Sequence, residues 1–310
     1  MSSRPEDSPR LPEDAAVVFF DFDGTVLPAG GQISEADKQA LRRLGDRGVI
    51  RVVATGRGLR SLRRDCPEDL PFDHLVFSSG LGLCPWTASG PGPLLRSRRF
   101  ADGDNARALA ACLEIKRGFF AFEPPPDDHF HLFHDPEGYR PTEGYLARLD
   151  SYREFASRYA PGRDPGPRSE FLIPAPAEDM PAVRARFEEL CPGLSCLVSS
   201  SPFGDRSMWL EILPPGVDKG SAAAELAGIL NVPAGRAVAL GNDFNDLELL
   251  EWAGSSFVTL NGAPELRERF QAAPAATDSP LAWLEARLAE KAAAKASGRN
   301  PGQGPGQNPG

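Results

Sequence analysis

The sequence lacks long runs of apolar residues. No wholly apolar run is longer than AAVVFF, residues 15–20, well short of the roughly 20 residues that a membrane-spanning helix needs. The N-terminal segment MSSRPEDSPRLPED contains acidic residues and no apolar stretch, so we expect no secretory signal peptide. Both absences argue against a membrane partner.

A long basic stretch is also missing. The 310 residues carry a formal net charge of −9, and an acidic chain is repelled by the phosphate backbone of nucleic acids. We therefore expect no nucleic-acid partner, whereas a small phosphorylated ligand requires only a few local cations.

Cysteine is scarce. The five cysteines, at positions 66, 84, 112, 191 and 196, include no CxxC pair, and an odd number without metal-binding or redox spacing is typical of reduced thiols. We therefore expect a cytoplasmic protein. Nothing in the sequence indicates the oligomeric state.

Glycine and proline are abundant, with 31 of each. Eight of these residues lie in the last twenty, KAAAKASGRNPGQGPGQNPG, a composition that cannot bury a core. We predict disordered tails over residues 1–14 and 291–310. The apolar fraction of 41% is close to the globular average, so the remainder is long enough for one large domain or two smaller ones.

Apolar strands alternate with helical segments towards both ends of the chain. AAVVFF, VIRVVA and HLVFSS resemble buried strands near the N-terminus, as AVAL and SFVTL do near the C-terminus. This alternation predicts an α/β core, a doubly wound, Rossmann-like parallel sheet formed by residues 15–85 and 206–290.

Residues 86–205 have a different composition, rich in proline, aromatic residues and three of the four histidines. Because a structureless loop of this length is uncommon in a compact domain, we predict an inserted α+β domain. Within HFHLFH, which ends at His134, His129 and His131 share one strand face, a spacing that would suit Zn²⁺. Because no cysteine lies near in the sequence, we favour a cap strand with a polar aromatic face, with or without contact to a substrate, and a zinc site is the alternative.

The strongest local pattern is FFDFDGTVL, in which Asp21 and Asp23 follow a predicted strand. Ligands of open α/β sheets bind beyond the carboxyl ends of the strands, and paired carboxylates there suit Mg²⁺. The alternative is that both aspartates only form the turn.

Three later segments place polar residues at corresponding positions. VVATGR has Thr55 after the second strand, PPGVDKG places Lys219 at a predicted helix start, and GNDFND follows a later strand. A cation and free N–H groups at a helix start favour phosphate. One parallel sheet would bring all four segments to the same edge.

With DFDGT, ATGR, VDKG and GNDFND in this order, the chain resembles the haloacid dehalogenase-like phosphohydrolase superfamily, in its Cof-type branch, subclass IIB. The long interval between Thr55 and Lys219 agrees with the C2-type cap that this branch inserts between its second and third motifs. The resemblance implies a Mg²⁺-dependent phosphatase that acts on a small phosphorylated metabolite.

The resemblance also implies roles for individual residues. Asp21 would be the nucleophile that forms an aspartyl-phosphate, and Asp23 the acid that protonates the leaving group and then activates water. Thr55 and Lys219 would bind the phosphoryl group. The other substrate-binding residues would be Gly56, Arg57, Ser79, Gly80, Asn245 and Asn261, with a plain surface role as the alternative for Arg57.

The fourth motif departs from the family pattern GDxxND, because Asn242 replaces its first acid. An amide oxygen can bind Mg²⁺, but the site loses one negative charge. We expect the metal to be bound by Asp21, the Asp23 carbonyl, Asn242 and Asp246. Asp243 would be either a substitute ligand or a helix cap.

The substrate expected by analogy with the branch is a sugar or polyol phosphate. Two alternatives remain, a phosphomutase that uses the same aspartyl-phosphate, and a phospholigand-binding or regulatory protein whose catalysis is weakened by Asn242. Dehalogenation is disfavoured because it requires neither Asp23 nor Mg²⁺.

Overall fold

The computed structural model describes residue 12 and residues 14–296. The fifteen strands within this range are β1 (Val17–Phe20), β2 (Ile50–Ala54), β3 (His74–Phe77), β4 (Gly82–Thr87), β5 (Gly90–Pro91), β6 (Arg96–Ser97), β7 (Phe119–Phe122), β8 (His131–His134), β9 (Ala156–Arg158), β10 (Glu170–Pro176), β11 (Ser195–Ser200), β12 (Ser207–Leu213), β13 (Ala237–Gly241), β14 (Ser255–Thr259) and β15 (Gln271–Ala273).

The α-helices of the same range are α1 (Glu35–Asp46), α2 (Leu59–Asp65), α3 (Asp102–Ile115), α4 (Glu143–Ser151), α5 (Met180–Leu190), α6 (Lys219–Ile229), α7 (Leu247–Trp252), α8 (Pro264–Arg269) and α9 (Pro280–Ala296). Most of the two predicted tails lies outside the described residues. The prediction of disorder from residue 291 differs from the structure, in which α9 continues to Ala296, because KAAAKA consists of strong helix formers.

A nine-stranded sheet forms the core domain, in the order β15-β14-β13-β1-β2-β3-β4-β5, with β6 paired to β4. Strand β1 lies at its centre, parallel to both β13 and β2. Its four residues are fully buried, with Val18 and Phe20 in one hydrophobic cluster and Val17 and Phe19 in another. Helices therefore cover both faces, and the predicted doubly wound α/β core is confirmed.

A second sheet forms the cap domain, in the order β11-β12-β10-β7-β8-β9. On β7, Phe119 packs towards α3 and α5, whereas Phe120 and Phe122 belong to a cluster on the opposite face with Tyr145 of α4 and Trp209 of β12. Because side chains alternate along a strand, one face of the cap sheet is covered by two helices. Its other face carries α4 and is turned in part towards the core.

The cap domain begins and ends later than residues 86–205. Strands β4 to β6, which extend to Ser97, belong to the core sheet, whereas β12 pairs with β10 and β11 of the cap sheet as far as Leu213. The change in composition near residue 86 therefore does not coincide with the change of sheet. Two connections join the domains, residues 98–101 and residues 214–217.

Among the described residues, no helix combines the length and the apolar character needed to cross a membrane.

Candidate active site

Three adjacent strands bring the predicted motifs together. Strands β13, β1 and β2 are neighbours and run parallel, so the residues after them lie at one edge of the sheet. Asp21 follows β1, Thr55 follows β2 and Asn242 follows β13. All three residues line one cavity.

Lys219 lies at the centre of this site. It is fully buried at the first position of α6, and its Nζ donates to Asp21 Oδ1 at 2.7 Å, to Asp246 Oδ1 at 2.6 Å and to Asn245 Oδ1 at 3.2 Å. Asp218 caps the helix by accepting a hydrogen bond from the backbone of Ser221 at 2.6 Å. The cap fixes where the helix starts and hence where Lys219 points.

The site carries more negative than positive charge. Burial raises the pKa of Asp21 to about 8, helped by the charge of Asp246 and opposed by Lys219. Burial alone would lower the pKa of Lys219, but the carboxylates of Asp21 and Asp246 outweigh it and raise that pKa. Lys219 is therefore a permanent cation, and an additional cation beside Asp21 would lower the pKa of Asp21 and favour its ionised form.

Asp246 is fully buried and its two carboxylate oxygens are already bonded. One accepts from Lys219, and the other accepts from the backbone N–H groups of Asn242 at 2.8 Å and Asp243 at 3.1 Å. These contacts fix the loop after β13 and hold Lys219 in place. The direct metal contact predicted for Asp246 remains a prediction.

Asn242 presents its side-chain oxygen to other oxygens. This atom lies 2.9 Å from the Asp23 carbonyl oxygen and 3.1 Å from Asp21 Oδ2, while it accepts from Thr25 Oγ1 at 2.9 Å. In an octahedral Mg²⁺ site, neighbouring oxygens lie about 3 Å apart because the bonds are about 2.1 Å long. The three groups therefore fit a cation, and an amide turned to present its nitrogen would fit the same contacts without one.

The turn after Asp23 depends on glycine. Gly24 has a positive φ of 71°, and a Cβ atom there would lie 2.5 Å from the Asn242 amide nitrogen. Asn261 donates to the Gly24 carbonyl at 2.7 Å and accepts from the backbone of Ala276 at 2.8 Å. Asn261 thus supports the turn, and it also lines the cavity between core and cap.

Asp23 is paired with Arg57. The guanidinium donates to both carboxylate oxygens, at 2.6 Å and 2.7 Å, and also to Asp65 of α2, which pairs in turn with Arg64 at 2.7 Å. The Arg57 and Arg64 hydrogen bonds hold the pKa of Asp65 at about 2. Arg57 is therefore a structured bridge between two carboxylates and not a plain surface residue.

Asp243 lies outside the oxygen cluster. Its carboxylate accepts from the backbone of Phe244 at 2.8 Å and from the backbone of Ser200, in the cap, at 2.9 Å. Of the two roles left open by the sequence, these contacts are those of a helix cap that also bridges core and cap.

Ser79 and Gly80 lie in a tight turn after β3. Ser78 and Ser79 have positive φ angles of 49° and 50°, and a Cβ on Gly80 would lie 2.2 Å from the Asp218 carbonyl oxygen. The close approach positions the start of α6. Ser79 donates to Glu211 of the cap, and Ser78 donates to the cap residue Asp128, so the turn joins the two domains.

A cavity of about 1040 Å³ extends from this site to the cap. Its core end is lined by the predicted residues Asp21, Asp23, Thr55, Gly56 and Arg57, together with Asn242, Asp243, Asn245 and Asn261. Thr55 Oγ1 accepts from the backbone of Arg57 at 3.1 Å, which leaves its hydroxyl proton free to donate. Lys219, Asp246, Ser79 and Gly80 are not among the lining residues. The first three are bonded to residues that are, namely Asp21, Asn242 and Glu211.

Comparison with known proteins gives a consistent result. The family model described as haloacid dehalogenase-like hydrolase matches residues 18–79 and 164–279, more than half of the chain. The chain belongs to this family. The identification made from the four motifs is therefore confirmed, as is the prediction that the chain is an enzyme.

Relatives of this hydrolase are phosphatases by name. It is 28% identical to an HMP-PP phosphatase of Cronobacter sakazakii, over 80% of its own length and 85% of the relative's. It is 25% identical to the 5-amino-6-(5-phospho-D-ribitylamino)uracil phosphatase YwtE of Bacillus subtilis, over 81% and 90%. Among solved structures, the phosphatase BT1666 of Bacteroides thetaiotaomicron superposes with a TM-score of 0.71 at 17% identity, over 92% and 99%.

The cap end of the cavity holds residues that the sequence did not single out. Arg148 of α4 places its guanidinium 4.6 Å from the ring centre of Phe122, 4.7 Å from Tyr152 and 5.6 Å from Trp209. Its Nε has no hydrogen-bond partner in the described part of the chain, nor has the buried indole nitrogen of Trp209. Both groups belong to residues that line the cavity.

Two glutamates of the cap strands also line this end of the hydrolase cavity. Glu211 accepts from Ser199 at 2.6 Å as well as from Ser79. Burial raises the pKa of Glu211, and burial together with the nearby Glu211 charge raises that of Glu170. A charged residue inside an apolar strand, as in SMWLEIL, is the sequence signal that would have indicated them.

The three cap histidines are arranged by aromatic packing. His131 is buried with its ring centre 5.3 Å from that of Phe122, and His134 lies 5.2 Å from Phe119. Across the described residues, no group of three or more His, Cys, Asp or Glu side chains could hold a metal ion. His129 lies in the turn before β8, so the prediction that it shares a strand face with His131 is wrong. Aromatic packing describes the three histidines better than the zinc alternative, and His129 alone of them lines the cavity.

Proposed function

We propose that the chain is a Mg²⁺-dependent phosphomonoesterase that hydrolyses a small phosphorylated metabolite through phosphorylation of Asp21. The observation that carries this proposal is the arrangement around Asp21. One of its oxygens is bonded to Lys219, and the other faces Asn242 and the cavity. Asp21 is thus oriented as a nucleophile with one oxygen available.

In the first step, Asp21 Oδ2 attacks phosphorus while the bond from phosphorus to the leaving oxygen breaks. Thr55 donates its hydroxyl to the phosphoryl group, and the Lys219 ammonium offsets the charge that accumulates between the phosphate and Asp21. Water then attacks phosphorus and releases inorganic phosphate together with the Asp21 carboxylate. The two displacements replace one difficult step by two easier ones.

Asp23 is positioned to move the proton. It lines the cavity two residues after Asp21, and it would protonate the leaving oxygen and then accept a proton from the attacking water. Both of its oxygens are bonded to Arg57 in this structure, so proton transfer requires Arg57 to release at least one of them. A phosphoryl group in the cavity offers Arg57 an alternative anionic partner.

The cation would be held by Asp21, the carbonyl of Asp23 and Asn242, whose oxygens face one another. When bound, Mg²⁺ would offset the repulsion between carboxylate and phosphate. Asp246 would act from behind this group by holding Lys219 and the loop after β13.

The leaving group would be a sugar or polyol. The aromatic faces of Phe122, Tyr152 and Trp209 can cover C–H groups, while Arg148 and Glu211 can bind hydroxyl groups. The name of the Bacillus relative specifies a phosphate on a ribityl chain, which is a polyol. Both arguments support a polyhydroxylated substrate.

The test is phosphate release from a panel of sugar, polyol, nucleoside and aryl monophosphates, with Mg²⁺ and with a chelator. We expect activity that requires Mg²⁺ and is highest with a polyol or sugar phosphate. Asp21→Asn should abolish it, whereas Asp69→Asn, which alters an exposed aspartate paired with Lys38, should not. Full activity of Asp21→Asn would exclude the covalent mechanism.

Product analysis separates the two alternatives. An isomer of the substrate with little free phosphate would indicate a phosphomutase. Tight binding of a phosphorylated ligand without turnover at saturating Mg²⁺ would indicate a binding or regulatory protein, which is the outcome that Asn242 in place of the usual acid would favour.

A further inference from the structure

A second cavity, of about 420 Å³, lies between the two connections that join core and cap. The first connection contributes Arg98 and Arg99, and Arg96 of β6 lies just before it. The second connection contributes residues 214–217. The cavity is lined by different residues from the active-site cavity.

Arg96 is the unusual residue of this second cavity. Its side chain is only 4% exposed, and its Nε and Nη1 atoms have no hydrogen-bond partner among the described residues. Its one counterion in that range is Glu225, 3.3 Å from Nη1, and burial lowers the pKa of Arg96. Buried N–H groups of a guanidinium are costly when no acceptor faces them.

The neighbouring acids are already engaged by other cations. Glu225 of α6 also pairs with Arg98 at 3.1 Å. Asp102 pairs with Arg99 at 3.1 Å, and Asp104, which lines the cavity, pairs with Arg107 at 2.8 Å. Asp218 contributes only its charge, since its carboxylate caps α6.

We propose that this cavity binds a phosphate group, free or as part of a small metabolite. Three arginines of one short segment face the space, and guanidinium groups bind phosphate by paired hydrogen bonds. A phosphate would add a counter-charge beside Arg96, which shares Glu225 with Arg98, and acceptors for the half-exposed Arg98 and Arg99. The volume lies within the range of about 300–1,000 Å³ that is common for small-molecule sites.

The occupant would contact both connections. It would contact the arginines of the first connection and the backbone of the second, which leads directly to Asp218 and Lys219. Glu225 lies on the helix that begins with Lys219. Phosphate in this cavity would therefore stabilise one arrangement of cap, core and α6.

Hydrogen–deuterium exchange during titration with inorganic phosphate tests this inference. The reporters are the backbone N–H groups of Arg98, Phe100 and Val217, which are bonded to Leu81, Arg168 and Pro214. We expect phosphate to slow exchange in both connections. The double variant Arg98→Gln/Arg99→Gln, which changes two half-exposed side chains, should raise the phosphate concentration needed by at least about 10-fold.

The control is Arg184→Gln, which alters a similarly exposed arginine of α5 that pairs with Glu188 and does not line the cavity. It should leave the titration of both connections unchanged. Protection confined to residues 55–57 would mean that phosphate binds only at the active site and would overturn the inference. Equal protection in the double variant, or protection by malonate but not by phosphate, would overturn it as well.

Discussion

The two ends of the active-site cavity satisfy their charges in different ways. At the core end, Lys219 contacts Asp21, Asn245 and Asp246, and both oxygens of Asp23 are bonded to Arg57. At the cap end, the Arg148 guanidinium lies among aromatic rings with its Nε unbonded within the described residues. The core end is thus arranged before any ligand arrives, whereas the cap end keeps bonding capacity for one.

This difference indicates that the core end carries out the chemical step and that the cap end selects the leaving group. The chemical step is the same for every phosphate monoester, so its groups can be fixed in advance. The leaving group differs between substrates, and a buried polar group without a partner discriminates against any ligand that fails to satisfy it. Variants at the core end should therefore affect all substrates alike, and variants at the cap end should change the preference among them.

The largest effect is expected from Lys219→Met. The change leaves Asp21 and Asp246 close together without their shared cation, and removes the charge that we propose stabilises phosphoryl transfer. We expect kcat/KM to fall by at least about 10³-fold for every substrate of the panel. Lys38→Met, outside the cavity and paired with Asp69, should retain activity. A loss confined to some substrates would contradict the assignment of the chemical step to the core end.

Arg148→Met should act on selected substrates. We expect KM for the preferred substrate to rise by about 10–100-fold, because a hydrogen bond from a charged group is lost, while methyl phosphate, which is too small to reach the cap, is hydrolysed as before. Steady-state kinetics on both substrates measures this, with Arg153→Met, a largely exposed arginine, as control. An equal loss with methyl phosphate would assign Arg148 to the chemistry.

Asn242→Asp should strengthen the cation site at the core end. An added negative charge beside Asp21 and the Asp23 carbonyl should lower the Mg²⁺ concentration for half-maximal binding by about 10-fold, measured by calorimetry. Asp243→Asn tests the other candidate ligand. We expect it to leave Mg²⁺ affinity unchanged because the Asp243 carboxylate is bonded to backbone N–H groups of Phe244 and Ser200.

The core end could be predicted from the sequence because it follows a local rule. Asp21, Thr55 and Asn242 each come directly after an apolar strand, and neighbouring parallel strands end at the same edge. What the sequence could not indicate is the pairing of Arg57 with Asp23, since Asp23 and Arg57 belong to different loops and either could equally face a ligand.

The cap end could not be predicted in the same way. Arg148 comes from α4, Glu170 from β10 and Glu211 from β12, so only the tertiary pairing of the strands brings them together. The limits of the cap were also missed, because β12 pairs with the cap sheet while it leads into Lys219 through a short connection. No local pattern distinguishes such a strand from one of the core.

Asp128, which joins the two ends through Ser78, is expected to affect folding stability and not the chemical step. Burial raises the pKa of Asp128 to about 6, despite hydrogen bonds from Ser78 and the backbone of Leu59. The folded protein therefore holds this proton more tightly than the unfolded chain, and its free energy of unfolding decreases as the pH rises from about 4 to about 6. The cost of burying the ionised Asp128 carboxylate remains at higher pH.

Asp128→Asn removes the cost of burying a charge at this position, because an amide does not ionise. We expect the difference in free energy of unfolding, variant minus wild type, to be about 1–3 kcal/mol larger at pH 7.5 than at pH 4. Urea unfolding at both pH values measures this difference. Asp127→Asn, at an exposed neighbouring position, should show no such difference. A gain that is the same at both pH values would mean that the Asp128 carboxyl does not titrate in this range. The contact between Asp128 and Ser78 would then join core and cap independently of pH.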